Sequence, residues 1–188
     1  MSFMNRKTLA LLLAIVFFVQ NLVFAQDARL TNIIVTNTED DLLVYLNVEG
    51  AFREKMKKAI LSGVPTSFSF FVSLYQVRNL RFDKKITDIM VTNTVKYDNL
   101  KEEFTIKRSW EKSGPLVLRS FDEVKKLMTE IDSLKIVSVE QLEKNQLYQL
   151  RAKAKLDKVT LPYYLHYVLF FVSLWDFETD WYTIDFTY

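Results

Sequence analysis

In LLVYLNV (residues 42–48) the apolar side chains Leu42, Val44, Leu46 and Val48 fall at every second position, with Leu43, Tyr45 and Asn47 between them. Alternation of this kind predicts a strand buried on one face. The β-branched run LTNIIVTNT (30–38) precedes it across the acidic turn Glu39-Asp40-Asp41, so the two read as a hairpin. In AFREKMKKAILSG (51–63) the period changes. Phe52, Met56, Ala59 and Ile60 fall at helical spacing, with Arg53, Glu54, Lys57 and Lys58 on the wet side. Gly63 and Pro65 predict its end, because glycine accepts the left-handed turn and proline cannot continue a helix. TSFSFFVSLYQVR (66–78) returns to period two: Phe68, Phe70, Val72 and Leu74 share one face, and Ser67, Ser69 and Ser73 are expected on a solvated one.

ITDIMVTNTVKYDNLKEEFTIKRSW (86–110) reads as strand, turn, strand, with the turn near Tyr97 to Asn99. Ser120 and Glu123 have capping-box spacing ahead of a helix using Phe121, Val124, Leu127, Met128 and Ile131. LKIVSV (134–139) and QLYQLRAKAKL (146–156) read as a further strand pair. In the second, Tyr148, Leu150, Ala152, Ala154 and Leu156 are predicted inward, with Leu147, Gln149, Arg151, Lys153 and Lys155 outward. From Tyr163 to Leu174 nearly every residue is apolar and periodicity does not discriminate. Pro162 favours a helix through about Phe171, followed by a last strand from Trp181 to Tyr188. The expected fold class is α+β: mainly antiparallel sheet, sandwich-like or curved, with two or three short amphipathic helices packed on it. FFVSL recurs at 70–74 and 170–174, and TNIIVTNT (31–38) echoes as TDIMVTNT (87–94). The offsets are 100 and 56 residues, so no single period exists, and a shared packing demand explains both.

The start of the chain changes the compartment. Arg6 and Lys7 precede the apolar run Leu9–Val19, and Val23 and Ala25 supply small-residue positions, the layout of a secretory signal peptide over residues 1–25. Gln20 interrupts the run before the roughly 20 residues that a spanning helix needs, although retention as an anchor is the alternative. The expected organisation is therefore a leader, 1–25, and one domain, 26–188. The formal net charge of +2 equals the two cations of the leader, which carries no acid, so the remainder is neutral. Balanced charge gives little reason to expect the clustered basic face that a nucleic-acid binder needs, and nucleic acid is not an expected partner. Three glycines, three prolines and 14% aromatics argue against disorder and linkers.

Reactive groups are few. No cysteine is present, which excludes thiolate catalysis, and His166, set in YYLHYVL, is the only histidine. No nucleophile elbow, phosphate loop or dinucleotide fingerprint occurs, and no cofactor is expected. Asp176, Glu178 and Asp180 alternate and would share a strand face, where a hard cation such as calcium is one reading and a wet face the other. Arg78, Arg81, Lys84 and Lys85 surround Leu80 and Phe82. They read first as a charged edge that discourages strand pairing, and second as a contact with anionic headgroups or envelope polymers.

AILSGVPTSFSF (59–70), LDKVTLP (156–162) and the ending Trp175…Thr179-Asp180-Trp181 resemble an uncharacterised bacterial family, domain of unknown function 4390. The resemblance covers essentially the whole chain after the leader and rests on packing motifs. It implies a secreted or membrane-tethered protein, sometimes encoded near sensor kinases. The aromatic stretch Tyr163–Phe171 departs from the family pattern.

Residues 163–188 contain eleven aromatic residues. They either fill the core or form an exposed anchor, and Tyr163, Tyr164, Tyr167, Trp175 and Trp181 are the candidate partner-binding residues. The expected function is that of a non-catalytic extracytoplasmic binding or interaction protein on the periplasmic side of the envelope, accessory to a membrane sensor system. Its partner would be an envelope or membrane protein or an apolar ligand, with a peripheral membrane contact also open. Two alternatives follow from the same residues: a small outer-membrane β-barrel, suggested by the alternating aromatic end Tyr182, Ile184, Phe186 and Tyr188, and a carboxylate- or metal-dependent envelope enzyme.

Overall fold

The computed structural model of the chain describes residues 28–157 and 177–188. The leader and the aromatic stretch 163–174 lie outside them. Strands β1 (Arg29–Asn37) and β2 (Asp41–Glu49) form the predicted hairpin, followed by helix α1 (Glu54–Leu61) and strand β3 (Thr66–Gln76). Strands β4 (Lys84–Asp98), β5 (Glu103–Arg108) and β6 (Leu116–Leu118) come next, then α2 (Phe121–Thr129) and β7 (Glu130–Ser138). A short 3₁₀ turn (Val139–Gln141) leads to β8 (Leu147–Leu156), and β9 (Tyr182–Thr187) is last.

All pairings are antiparallel, and the described strands form two open sheets, β1-β2-β7 and β6-β5-β4-β3-β8-β9. This is the α+β class expected, the described strands being arranged as one small sheet and one large one. The alternating faces meet in the middle. Val44, Phe68, Phe70, Val72, Leu74, Leu150, Ala152 and Ala154 are all fully buried. Each large apolar side chain removed from water contributes about 1.5–3 kcal/mol, which is why the alternation decides which face of each sheet turns inward. Large and small residues interlock across β3 and β8: Phe70 is opposite Ala154, and Val72 opposite Ala152. Helix α2 wedges between the layers, touching β4 and β5 of one sheet and β2 and β7 of the other.

Three local expectations are corrected. Helix α2 stops at Thr129, and Ile131 belongs to β7. A β-bulge causes the misreading. Leu46 faces Ile131 and Val44 faces Leu134, so β7 holds an extra residue, and Ser133 takes φ +57°. The bulge spaces inward residues three apart, which imitates a helix. The segments 134–139 and 146–156 are not a pair: β7 hydrogen-bonds to β2, whereas β8 lies between β3 and β9. The turn after β4 comes later than expected, at residues 99–102. There the Asp98 carboxylate accepts the amides of Leu100 (2.9 Å) and Lys101 (3.1 Å), a local bond that sets the turn.

Candidate functional site

The outward face of the large sheet carries the most chemistry among the described residues. Ser67, Ser69, Phe71, Ser73 and Tyr75 of β3 point there, beside Gln149, Arg151, Lys153 and Lys155 of β8. The serines are not solvated as expected, since Ser69 is 3% exposed and Ser73 4%. Each lies opposite a long side chain of β8, Ser69 facing Lys155 and Ser73 facing Arg151, and such stems cover neighbouring surface. The buried hydroxyls are satisfied. Ser69 Oγ lies 2.8 and 2.9 Å from the two Asp157 carboxylate oxygens, to which it donates, and Ser73 Oγ donates to Asp88 Oδ1 at 2.7 Å.

Rings and cations interleave on this face. Lys153 Nζ lies 5.5 Å from the Phe71 ring centre and 4.8 Å from that of Trp181, so it sits between the two. Arg151 Cζ stands 4.6 Å from the Tyr75 ring, with Lys85 Nζ 5.6 Å away. Trp181 is half exposed, at 50%. It is positioned by the chain segment before β9. The Phe177 ring packs on Phe68 at 5.3 Å, the Phe177 carbonyl accepts the Leu156 amide, and buried Thr179 exchanges bonds with the Ala154 backbone at 2.9 and 3.0 Å.

Two acids belong to the same surface. Glu178 is paired with both Lys153 and Lys155, and these hydrogen bonds hold its carboxyl below the ordinary range. Lys85 and then Ser73 do the same for Asp88. Of the alternating acids singled out for a cation, Glu178 is thus committed to two lysines, Asp180 is exposed, and Asp176 lies outside the described residues. Among the described residues no three metal-ligating side chains gather. The acidic turn is structural: Thr38 Oγ1 accepts the amides of Asp40 and Asp41, and Lys135 Nζ pairs with Asp41 at 2.6 Å.

Of the five candidate partner-binding residues, Trp181 stands on this exposed face. Tyr163, Tyr164, Tyr167 and Trp175 lie outside the described residues, as does His166. Phe71, Tyr75, Arg151 and Lys153, which complete the face, were not singled out from the sequence. Their signal was present: the outward positions of β8 are those the alternation assigned to solvent. A second polar cluster was also missed. Asn93 is fully buried, its amide donating to the carbonyls of Leu127 (3.1 Å), Met128 (3.3 Å) and Glu130 (3.4 Å) and its carbonyl accepting the Trp110 indole (3.2 Å). Arg108, 8% exposed, stacks on Trp110 at 4.2 Å and pairs with Glu111 at 2.7 Å. These groups join α2 to the sheet.

A family described as domain of unknown function (DUF4390) matches residues 25–185. The chain belongs to it. No curated protein and no solved structure matches the chain. The segments that carry the family resemblance hold the DUF4390 fold together where they are described. Ala59, Ile60, Val64, Phe68 and Phe70 are buried, and Gly63 takes φ +82° at the end of α1. Asp157 anchors Ser69, and Thr179 ties Trp181 to β8. Among the described residues of this DUF4390 chain, no helix is long and apolar enough to cross a membrane.

Proposed function

We propose that this DUF4390 protein is a non-catalytic interaction protein of the periplasmic side of the bacterial envelope, docking a partner protein on the outward face of its large sheet. The observation that carries the reading is the half-exposed Trp181 ring with Lys153 between it and Phe71, beside the Arg151–Tyr75 stack. Tryptophan, tyrosine and arginine dominate the energetics of protein interfaces because they combine large apolar area with few degrees of freedom and a polar handle. Here the cations are already held by rings and acids, so a partner meets a pre-ordered surface and loses little entropy on docking. The leader at residues 1–25 supports export, and the family match begins at Ala25, the expected cleavage site. The family resemblance implies that some members are encoded near sensor kinases, which favours a membrane sensor as the partner.

The test combines compartment and contact. Mass measurement of the protein from fractionated cells is expected to find residues 1–25 removed and the remainder on the periplasmic side. A photo-crosslinking residue at position 181 is expected to give one discrete protein adduct, absent from the same group at Val117, which is exposed on the distant strand β6. Lys153→Ala is expected to weaken the adduct at least about tenfold, the order expected when one central contact is lost. An intact leader in a cytosolic pool refutes the reading. So does an adduct pattern identical at 181 and 117, or turnover of a small compound by the pure protein.

A further inference from the structure

The connection between β3 and β4 presents a different surface, one the Trp181 face does not use. At this hairpin tip Leu80 is 97% exposed and Phe82 98%, so both large apolar side chains stand in water. Edge protection accounts for Lys84 and Lys85, because β5 pairs β4 only from Asn93 to Asp98 and leaves the first half of β4 a free edge. It does not account for Leu80 and Phe82, which lie beyond the strands on the exposed connection between them. The charges at the tip are mostly of one sign. Arg78, Arg81, Lys84 and Lys85 surround the two apolar residues, and the single acid among them, Asp83, is exposed beside them but already engaged. Its carboxylate accepts the Arg78 amide at 3.3 Å and faces Arg151 at 4.0 Å. The neighbouring acids are engaged as well, Asp88 by Lys85 and Glu143 by the Gln76 amide.

We infer that the β3–β4 tip inserts Leu80 and Phe82 into the interface of an anionic lipid bilayer while Arg78, Arg81 and Lys84 engage the lipid phosphates. Two large apolar side chains in water, ringed by cations, match the layering of an anionic bilayer, which takes up apolar groups and cations at their separate depths. Each basic residue near such a surface strengthens binding about fivefold, and the effect is lost when the lipid charge is removed.

The chain has no cysteine, so Leu80→Cys or Phe82→Cys introduces one labelling site for an environment-sensitive fluorophore. Leu100→Cys serves as control: Leu100 is 97% exposed on the turn at the opposite end of β4. With full-length protein and vesicles containing about a third phosphatidylglycerol in phosphatidylcholine, the probe at 80 or 82 is expected to shift to shorter wavelength. It should also be quenched by spin-labelled acyl chains, while the probe at 100 is unchanged. The unlabelled double variant Leu80→Ser, Phe82→Ser should bind these vesicles at least about tenfold more weakly. Four results overturn the inference: equal responses at 82 and 100, an equal response on pure phosphatidylcholine, undiminished binding by the double variant, or no insertion while the tip crosslinks to a protein. Trp181→Ala leaves the probe at 82 responsive, so failure here and failure of the docking face are distinguishable.

Discussion

Asn93 is the residue whose loss the structure prices most directly. Helix α2 ends at Thr129 and the chain turns straight into β7, Glu130 having extended angles of φ −108° and ψ 133°. No glycine follows in the left-handed conformation, so the last carbonyls lack the usual closing bonds of a helix end. The Asn93 side chain, reaching from the middle of β4, supplies donors to Leu127 and Met128 and accepts the Trp110 indole. The Glu130 carbonyl has a second donor in Arg108, 3.3 Å away, so it is not orphaned when Asn93 is lost. Asn93→Ala therefore strands the buried Met128 carbonyl, the half-buried Leu127 carbonyl and the half-buried Trp110 indole. At about 1 kcal/mol or more for each group left unsatisfied, the expected loss is about 2–4 kcal/mol. That is a large share of the roughly 5–15 kcal/mol that stabilises a domain.

Urea unfolding followed by tryptophan fluorescence measures this loss, with Trp110 at the perturbed site as the reporter. Asn93→Asp sharpens the argument, because a carboxylate turned toward two carbonyl oxygens repels them and cannot donate. Its folded pKa must then lie above the unfolded value of about 3.9, so the variant recovers relative to Asn93→Ala as the pH falls and the acid gains a proton. A loss below about 1 kcal/mol for Asn93→Ala, or a fixed gap between the two variants across pH, refutes the reasoning.

Phe68→Ala removes a buried ring stacked on Phe52 at 5.4 Å and packed at a tilt against Phe177 at 5.3 Å, and is expected to cost about 3–5 kcal/mol in urea unfolding. Trp181→Ala, by contrast, loses a half-exposed ring and one cation contact, about 1 kcal/mol or less, and equal losses would make Trp181 a core residue. Asp88 has its carboxyl lowered by Lys85 and Ser73, so its stabilisation is complete above the ordinary carboxylate range and is lost as pH falls below about 4. Asp88→Asn should flatten the decline of the urea midpoint between about pH 4 and 2; an unchanged slope contradicts the pairing. Gly63→Ala meets only ordinary contacts, at 3.6 and 3.7 Å, so its expected cost of about 1 kcal/mol reflects the φ of +82° alone, and a neutral effect on Tm would contradict that.

The elements legible in the sequence are those whose apolar period is unbroken. β2 and β8 alternate cleanly, β3 does so on its apolar face, and α1 keeps helical spacing to its glycine stop, so the inward face of each could be assigned residue by residue. Ile131 was illegible because a bulge changes the period of β7 to one that a helix also produces. The separation of β7 from β8 was illegible for another reason. Pairing depends on which strand offers Ala152 and Ala154 to Phe70 and Val72, a complementarity between segments some eighty residues apart. The TNT echo shows how local identity misleads. Asn37 in the first copy is exposed and bonds the adjacent Thr38 carbonyl, whereas Asn93 in the second is fully buried and closes a helix. Trp181 could be placed on a candidate surface from its composition alone. Its neighbours Phe71 and Lys153 could not, because their meeting depends on the β3–β8 register.

The docking face and the lipid-binding tip constrain each other through the length of β3. Gln76 and Tyr148 lie level at the tip end of the sheet, and Phe71 and Lys153, beside Trp181, are five residues further along. At about 3.3 Å per residue this is about 17 Å, and the turn to Leu80 adds about 10 Å more. With the tip sunk about 5–10 Å into the interface, Trp181 stands about 17–22 Å above the bilayer when β3 is near upright. A partner that meets Trp181 there must raise a folded segment of its own to that height, which a sensor with an extracytoplasmic domain does and a protein confined to the bilayer does not. An adduct at position 181 with a protein that has no part outside the membrane would therefore refute either the upright tip or the docking face, and the probe at position 82 decides which.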